Sequence, residues 1–279
     1  MKMKKYILMV ALLAFCAAPV LASMGTEELH EKLIYPVVRV NEGGSGTIIY
    51  SKPNEDGGYS TYVMTNYHVI SDAISVVNQW DSDLQKEIKI EKRNLIYAEI
   101  FKYKNLSIPI GTLKVEAHVV LYSKDEDMAL VKLSLEEPAK YVAKLYPYGK
   151  EDEIHVTDKS IAVGCSMGWP PIPAMGMITR MNVYIDSLIY HMSESQIIFG
   201  NSGGAMYTEI GEYMGMPSRG VVLGWSNIVS HMGLFIPINR IYDWLERENF
   251  NFIYDDSVTE KEGLENREKE IDAKIEAKK

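Results

Sequence analysis

Apolar side chains recur at a period of two through short runs along most of this chain. Val37 to Val40, Ser45 to Tyr50, Tyr62 to Thr65, Ile74 to Asn78, Leu95 to Phe101, Thr112 to Tyr122 and Ala129 to Leu133 each read as a strand. β-Branched and aromatic residues at alternate positions suit the two faces of a pleated sheet. A polar stretch from Glu136 to Glu153, punctuated by Pro138 and Pro147, interrupts the series. A second series follows at Ser160 to Gly164, Met175 to Ile185, Gln196 to Ile198, Gly203 to Tyr207, Gly220 to Trp225 and Gly233 to Pro237. The period changes only after Pro237, where Ile241, Trp244 and Leu245 share one face of a helix predicted over Asn239 to Arg247.

The two ends of the chain break this pattern in opposite ways. Met1 to Lys5 is basic, Tyr6 to Ala18 is an apolar run short for a membrane span, and Val20-Leu21-Ala22 offers small residues for a signal peptidase. Residues 1–22 therefore read as an export signal cut after Ala22, with no membrane anchor expected once it is removed. Lipidation at Cys16 is disfavoured by Phe15 before it. From Asp255 to Lys279, 15 of 25 residues are charged, with Leu264, Ile271 and Ile275 as a thin apolar stripe. This charged tail reads as a solvated or partly disordered helix, with an oligomerisation or docking element left as the alternative.

Composition narrows the class. The 47% apolar content supports a buried core, and a net charge of −9 without a basic patch argues against nucleic acid as a partner. Removal of the signal would leave Cys165 as the one cysteine, so no internal disulfide is expected. The histidines His30, His118, His155, His191 and His231 lack short metal-ligand spacing, so neither a metal nor a cofactor is expected.

Chemistry enters through three short segments. Gly200-Asn201-Ser202-Gly203-Gly204 is a turn of small residues, whose Gly200 and Ser202 N–H groups can converge on a developing oxyanion. Thr65-Asn66-Tyr67-His68-Val69 closes an apolar β-prone run, and Asp127 opens the alternating run Met128 to Leu133. A hydroxyl becomes an effective nucleophile when a base takes its proton, and that base works best beside a carboxylate that sets its tautomer. Ser202, His68 and Asp127 are those three residue types. Their order along the chain, His, Asp, Ser, is the one used by chymotrypsin-type double barrels.

These segments, with Ser45-Gly46-Thr47-Ile48-Ile49 and Phe235-Ile236-Pro237-Ile238, resemble the trypsin-like serine peptidases from about residue 35 to 245. The resemblance is closest to the protease domain of the Deg-type, high-temperature-requirement enzymes of bacteria. It implies an all-β fold of two antiparallel six-stranded β-barrels with the active site in the cleft between them, plus a C-terminal helix. The protease domain would span 30–245, with barrel 1 over about 35–135, barrel 2 over about 155–238, the helix at 239–247 and the charged tail at 255–279. The implied activity is endopeptidase cleavage of polypeptides, including unfolded ones, in the periplasm or outside the cell.

The resemblance also places a substrate pocket. Its base would be Gln196, six positions before Ser202, and its wall Leu223, Gly224 and Trp225, an uncharged lining suited to small or medium apolar side chains. Two departures stand out. Ala205 replaces the usual proline, and the separation of 59 between His68 and Asp127 implies an extra hairpin or loop within 84–119. The 34 residues after Leu245 are too few for the PDZ module of those relatives, so PDZ regulation is not expected from this sequence. Two other activities fit the same residues: a catalytically inactive polypeptide-binding homologue, and an esterase-like acyl hydrolase.

Overall fold

The computed structural model describes residues 25–82, 85–223 and 227–277. The expected signal segment 1–22 lies outside them. A short helix α1 (Thr26–Leu29) runs into a π-turn at His30–Ile34 and leads to β1 (Val37–Val40), β2 (Gly44–Pro53) and β3 (Tyr59–Thr65). After the single helical turn α2 (Tyr67–Ile70) come β4 (Ile74–Asp81), β5 (Lys86–Arg93), β6 (Ile96–Lys104), β7 (Ile108–Ser123) and β8 (Met128–Leu133). Six of these strands close a barrel in the order β1-β2-β3-β8-β7-β6, while β4 and β5 stand apart as a two-stranded sheet. The extra hairpin expected within 84–119 is β4–β5, which starts earlier, at Ile74; β6 and most of β7 in that range are barrel strands, so Ile74 to Asn78, expected in barrel 1, lies outside it.

The second half contains β9 (Lys144–Leu145), β10 (Lys159–Gly164), β11 (Ile172–Ile185), β12 (Leu188–Ser193), β13 (Ala205–Thr208), β14 (Glu212–Leu223) and β15 (Asn227–Pro237). The order β13-β10-β11-β12-β15-β14 closes on itself through β13–β14 pairing, with β9 added parallel to β14. The fold is therefore all-β, two six-stranded antiparallel barrels followed by a helix. Barrel 2 differs from the sequence expectation in one strand. Residues 196–198 are not a strand; its place is taken by Leu188–Ser193. The hairpin that makes β12 turns at Asp186 (φ 52°) and Ser187 (φ 67°), with Ile185 facing Leu188. Two consecutive left-handed residues match the twist of a tight hairpin, but Asp-Ser is a weaker sequence signal for that turn than Asn-Gly.

Each barrel is filled from inside. Val38, Val40, Ile48, Val63, Ala129 and Val131 form the interior of barrel 1. A larger apolar cluster joins the outer face of barrel 1, through Tyr50, Tyr62 and Met64, to the core of barrel 2. Helix α3 (Ile238–Arg247) seals that cluster with Ile241, Trp244 and Leu245, each at most 1% exposed, as their spacing predicts. The last helix, α4 (Glu260–Glu276), begins on a capping box in which Thr259 and Glu262 satisfy each other's backbone N–H. Its first turn is docked rather than free, because Glu260 accepts from Tyr62 Oη at 2.6 Å and from Lys132 Nζ at 3.3 Å. Leu264, Ile271 and Ile275 stay exposed.

Candidate active site

Barrel 1 delivers two of the three residues. Strand β3 pairs with β8, Thr65 opposite Ala129, so the chain just beyond β3 and the chain just before β8 emerge side by side. His68 sits on the one-turn helix α2 that follows β3. Asp127 precedes β8 in the left-handed region, φ 57°, a conformation that aspartate tolerates better than most residues. Its carboxylate is nearly closed to solvent, at 6% exposure for the residue, so its charge must be met by protein donors.

Those donors are present. The His68 ring donates from Nδ1 to Asp127 Oδ1 at 2.9 Å and lies 3.0 Å from Oδ2. The His68 backbone N–H also donates to Oδ1 at 3.1 Å, and the Ser218 hydroxyl donates to Oδ2 at 2.8 Å. A carboxylate accepts only, so Nδ1 carries the proton in this bond and Nε2 is left with its lone pair. The loop behind the carboxylate is held as well. Asn66 Nδ2 donates to the Asp127 carbonyl at 2.8 Å, and the buried Arg240 of α3 donates to the carbonyls of Ile189 and Glu126 at 2.9 and 3.3 Å.

Barrel 2 supplies the turn. Its glycines are required by close packing rather than by flexibility. A Cβ on Gly203 (φ 84°) would lie 2.2 Å from the Ser45 carbonyl oxygen and 2.3 Å from Thr65 Oγ1. One on Gly200 (φ 94°) would lie 2.4 Å from the Cys165 carbonyl oxygen. The turn is thus wedged between the end of β10 and the first strands of barrel 1. No backbone carbonyl takes up the N–H of Gly200 or Ser202 among the described residues, so both remain available to a ligand oxygen. The Ser202 hydroxyl donates to the Ser218 carbonyl at 3.3 Å rather than to the His68 ring. Ser218 therefore touches both halves, its hydroxyl on Asp127 and its carbonyl under Ser202.

The residues expected to line a pocket are less concentrated. Gln196 is exposed, and its carbonyl receives a long 3.5 Å contact from Asn201 Nδ2. Leu223 ends β14 near the tip of the β14–β15 hairpin, opposite Asn227, while Gly224 and Trp225 lie outside the described residues. Next to Gln196, Ile197 is 2% exposed, and its side chain would be 2.6 Å from a Cβ on Gly233. Gly233 pairs with Gly220, two residues beyond Ser218. Sequence reasoning assigned no role to Ser218, Arg240 or Ile197, since a lone serine, arginine or isoleucine carries no motif of its own, and it named Ser45 only within the Ser45 to Ile49 segment.

Other titratable groups are set by burial. Cys165 is free and buried, its thiol pushed up to about 12 by desolvation, which makes it a poor nucleophile. His191, packed edge-on against Phe235 at 5.6 Å between ring centroids, is held below the ordinary histidine value by burial. Among the described residues no group of three or more His, Cys, Asp or Glu side chains is arranged to hold a metal ion, and no helix is long and apolar enough to cross a membrane.

Comparison with known proteins places this geometry. The sequence profile of the trypsin-like peptidase domain matches residues 44–216. A serine endoprotease from Yersinia pestis superposes with a TM-score of 0.55 at 20% identity, over 79% of this chain and 65% of that one. The HtrA-type protease AlgW gives 0.56 at 17% identity with a tripeptide bound, over 81% of this chain and 63% of that one. In the form carrying a decapeptide it gives 0.52 at 19% identity, over 73% and 50%. At such identities the likeness is one of fold, and this chain spans less than two thirds of each of these structures. No curated protein sequence matches the chain.

Proposed function

From a chain that belongs to the trypsin-like peptidase domain family, we propose a serine endopeptidase that works through an acyl-enzyme on Ser202. His68 Nε2 takes the Ser202 proton as the hydroxyl oxygen attacks the scissile carbonyl. Asp127, acting through Nδ1, orients the ring and stabilises the imidazolium. The N–H groups of Gly200 and Ser202 receive the oxyanion. His68 then returns the proton to the leaving amine, and water repeats the cycle to release the acyl group. The observation that carries this reading is the buried Asp127 carboxylate, satisfied on one side by His68 and on the other by Ser218. A serine turn that needed no base would have no use for that arrangement.

The bond from Ser202 to the Ser218 carbonyl also fits a resting enzyme, because a rotation about the serine χ1 would move the hydroxyl between partners. The same bond supports the second reading, a polypeptide-binding homologue in which the hydroxyl stays parked. We place the residue before the scissile bond beside Gln196, whose uncharged side chain is exposed, which favours small to medium apolar side chains over Lys or Arg. Polypeptides are the substrates, and the apolar leader ending at Ala22 assigns the protein to an exported location.

Fluorophosphonate labelling beside a casein assay tests the proposal. Both signals should appear in the wild type, and Ser202→Ala should abolish labelling and reduce cleavage by several orders of magnitude, up to about 10⁶-fold. Labelling without proteolysis would favour an acyl hydrolase with ester substrates. Neither signal would favour the binding homologue.

A further inference from the structure

Ser45 lies in β2 of barrel 1, fully buried, and all four of its polar connections run to the parts of the chain that shape the Ser202 turn. Its N–H donates to the Ser202 carbonyl at 2.9 Å. Its hydroxyl donates to the Gly200 carbonyl at 2.6 Å and accepts the Cys165 N–H at 2.7 Å. Its carbonyl accepts from Thr65 Oγ1 at 2.7 Å, three residues before His68. A hydroxyl has one proton to give, and here it goes to the peptide that joins Gly200 to Asn201.

We infer that Ser45 is a positioning residue for the reaction, a bolt from barrel 1 that holds the two peptides flanking the one that carries the Ser202 N–H. The inference rests on the serine-peptidase reading above. Its physical basis is that peptide planes are rigid while the two dihedrals between them are soft. Holding the Gly200 carbonyl and the Ser202 carbonyl from one side chain and its own backbone restrains the intervening Asn201 link from both ends. The Ser202 N–H belongs to the Asn201–Ser202 peptide between those two held planes, so its direction is tied to barrel 1. The turn's other bonds come from its own barrel: Met167 N–H to the Phe199 carbonyl at 2.8 Å, Gly203 N–H to the Pro217 carbonyl at 3.0 Å and Gly204 N–H to the Asn201 carbonyl at 2.9 Å, so Ser45 is its polar link to barrel 1. Gly200 has positive φ and no side chain, and the Ser202 hydroxyl has a partner only at 3.3 Å. The crowding around Gly203 and Gly164 acts with the bolt. A Cβ on Gly164 would come within 2.8 Å of Asn201 Cα and 3.1 Å of Ser45 Oγ, so the hydroxyl sits in a space already closed on the β10 side. Neither barrel alone would fix the turn, and the reaction would depend on their docking.

The test compares Ser45→Ala with Ser51→Ala. Ser51 is on the same strand, and its hydroxyl contacts Thr61 Oγ1 at 2.8 Å and the Ala139 N–H at 2.9 Å, remote from the turn. The fluorophosphonate labelling rate is measured per folded molecule, with kcat and KM for a peptide substrate and the thermal midpoint alongside. Ser45→Ala should lower the labelling rate and kcat by about 10²-fold, the size of loss expected from misplacing reacting groups by about 1 Å, with KM changed less than threefold. Ser51→Ala should lower the midpoint and leave the labelling rate unchanged. Should Ser45→Ala fail to fold, Ser45→Cys retains the shape with a weak donor and is expected to show the same split. A Ser45 variant that labels at the wild-type rate per folded molecule overturns the inference while leaving the peptidase reading intact. A wild type inert to both reagents overturns the peptidase reading, and with it the role assigned to Ser45.

Discussion

The two halves of the site are built differently. The barrel 1 half is dense with charge-assisted hydrogen bonds: the Asp127 carboxylate takes the His68 ring, the His68 backbone and the Ser218 hydroxyl within 3.1 Å. The barrel 2 half is held by neutral backbone bonds and by shape. Its serine hydroxyl has one 3.3 Å contact, and its glycines are fixed by carbonyls that would meet any Cβ at 2.2 to 2.4 Å. A bonded half tolerates little rearrangement, because removing one partner leaves a buried charge unmatched. The Ser202 hydroxyl, with its one 3.3 Å contact, has more freedom to rotate between a resting and a competent position. On the proposed mechanism the base is prepared in advance, and the nucleophile is the adjustable member.

The largest effect that sharpens this contrast should come from the bonded half. Asp127→Asn presents an amide where the imidazole needs an acceptor and is expected to reduce kcat by about 10⁴-fold with little change in KM. Asp125→Asn, two residues away in an exposed turn, should change it by no more than a few fold. Single-turnover rates for the pair would reveal a reversed ranking, which would remove Asp127 from the role given to it.

A smaller loss is expected at the residue common to both halves. Ser218→Ala deletes the 2.8 Å bond to Asp127 but keeps the carbonyl under Ser202. A hydrogen bond to a charged group contributes about 1.5–3 kcal/mol, so kcat/KM should fall roughly 10- to 100-fold. If a fluorophosphonate then labels Ser202 at the wild-type rate, the carboxylate is held well enough without Ser218.

The smallest effect concerns stability, and it should appear in barrel 2. His191 in β12 is 6% exposed, and its Nδ1 accepts the Asn182 N–H at 3.3 Å, a role open only to the unprotonated nitrogen. Burial lowers its folded-state pKa, whereas the unfolded chain titrates near the ordinary value of about 6.5. The unfolded state therefore binds the proton first. The stabilisation is full above about pH 6.5 and is lost as the pH falls through the window from there down to the lowered folded value. Thermal midpoints followed by circular dichroism should fall over that window, and His191→Gln should flatten the slope. An unchanged slope in the variant would assign the acid sensitivity elsewhere.

Much of this was legible along the chain. Period-two runs marked eleven of the twelve barrel strands, because a strand with one face buried must alternate. The exception, β12, was hidden by an Asp186-Ser187 turn with no glycine, and the apolar pair Ile197-Ile198 imitated a strand nearby. That pair is instead a loop end whose Ile197 is buried against Gly233. For the tail, composition read as solvated; the docking of Glu260 between Tyr62 and Lys132 depends on neighbours more than 100 positions away.

By itself the sequence determined which chemistry-bearing residues are present, the class of fold, the face of α3 that is buried, and the order in which His68, Asp127 and Ser202 occur. Those properties follow from local period and residue type, which act over a few positions. Only the tertiary structure decided that Ser218 and Arg240 secure the Asp127 loop, that Ser45 reaches across to the serine turn, and that Ile197 is buried against Gly233. Each of these is a contact between segments distant along the chain, with a geometry set by how two closed barrels pack, and a single serine or isoleucine carries no periodic trace of such a partner.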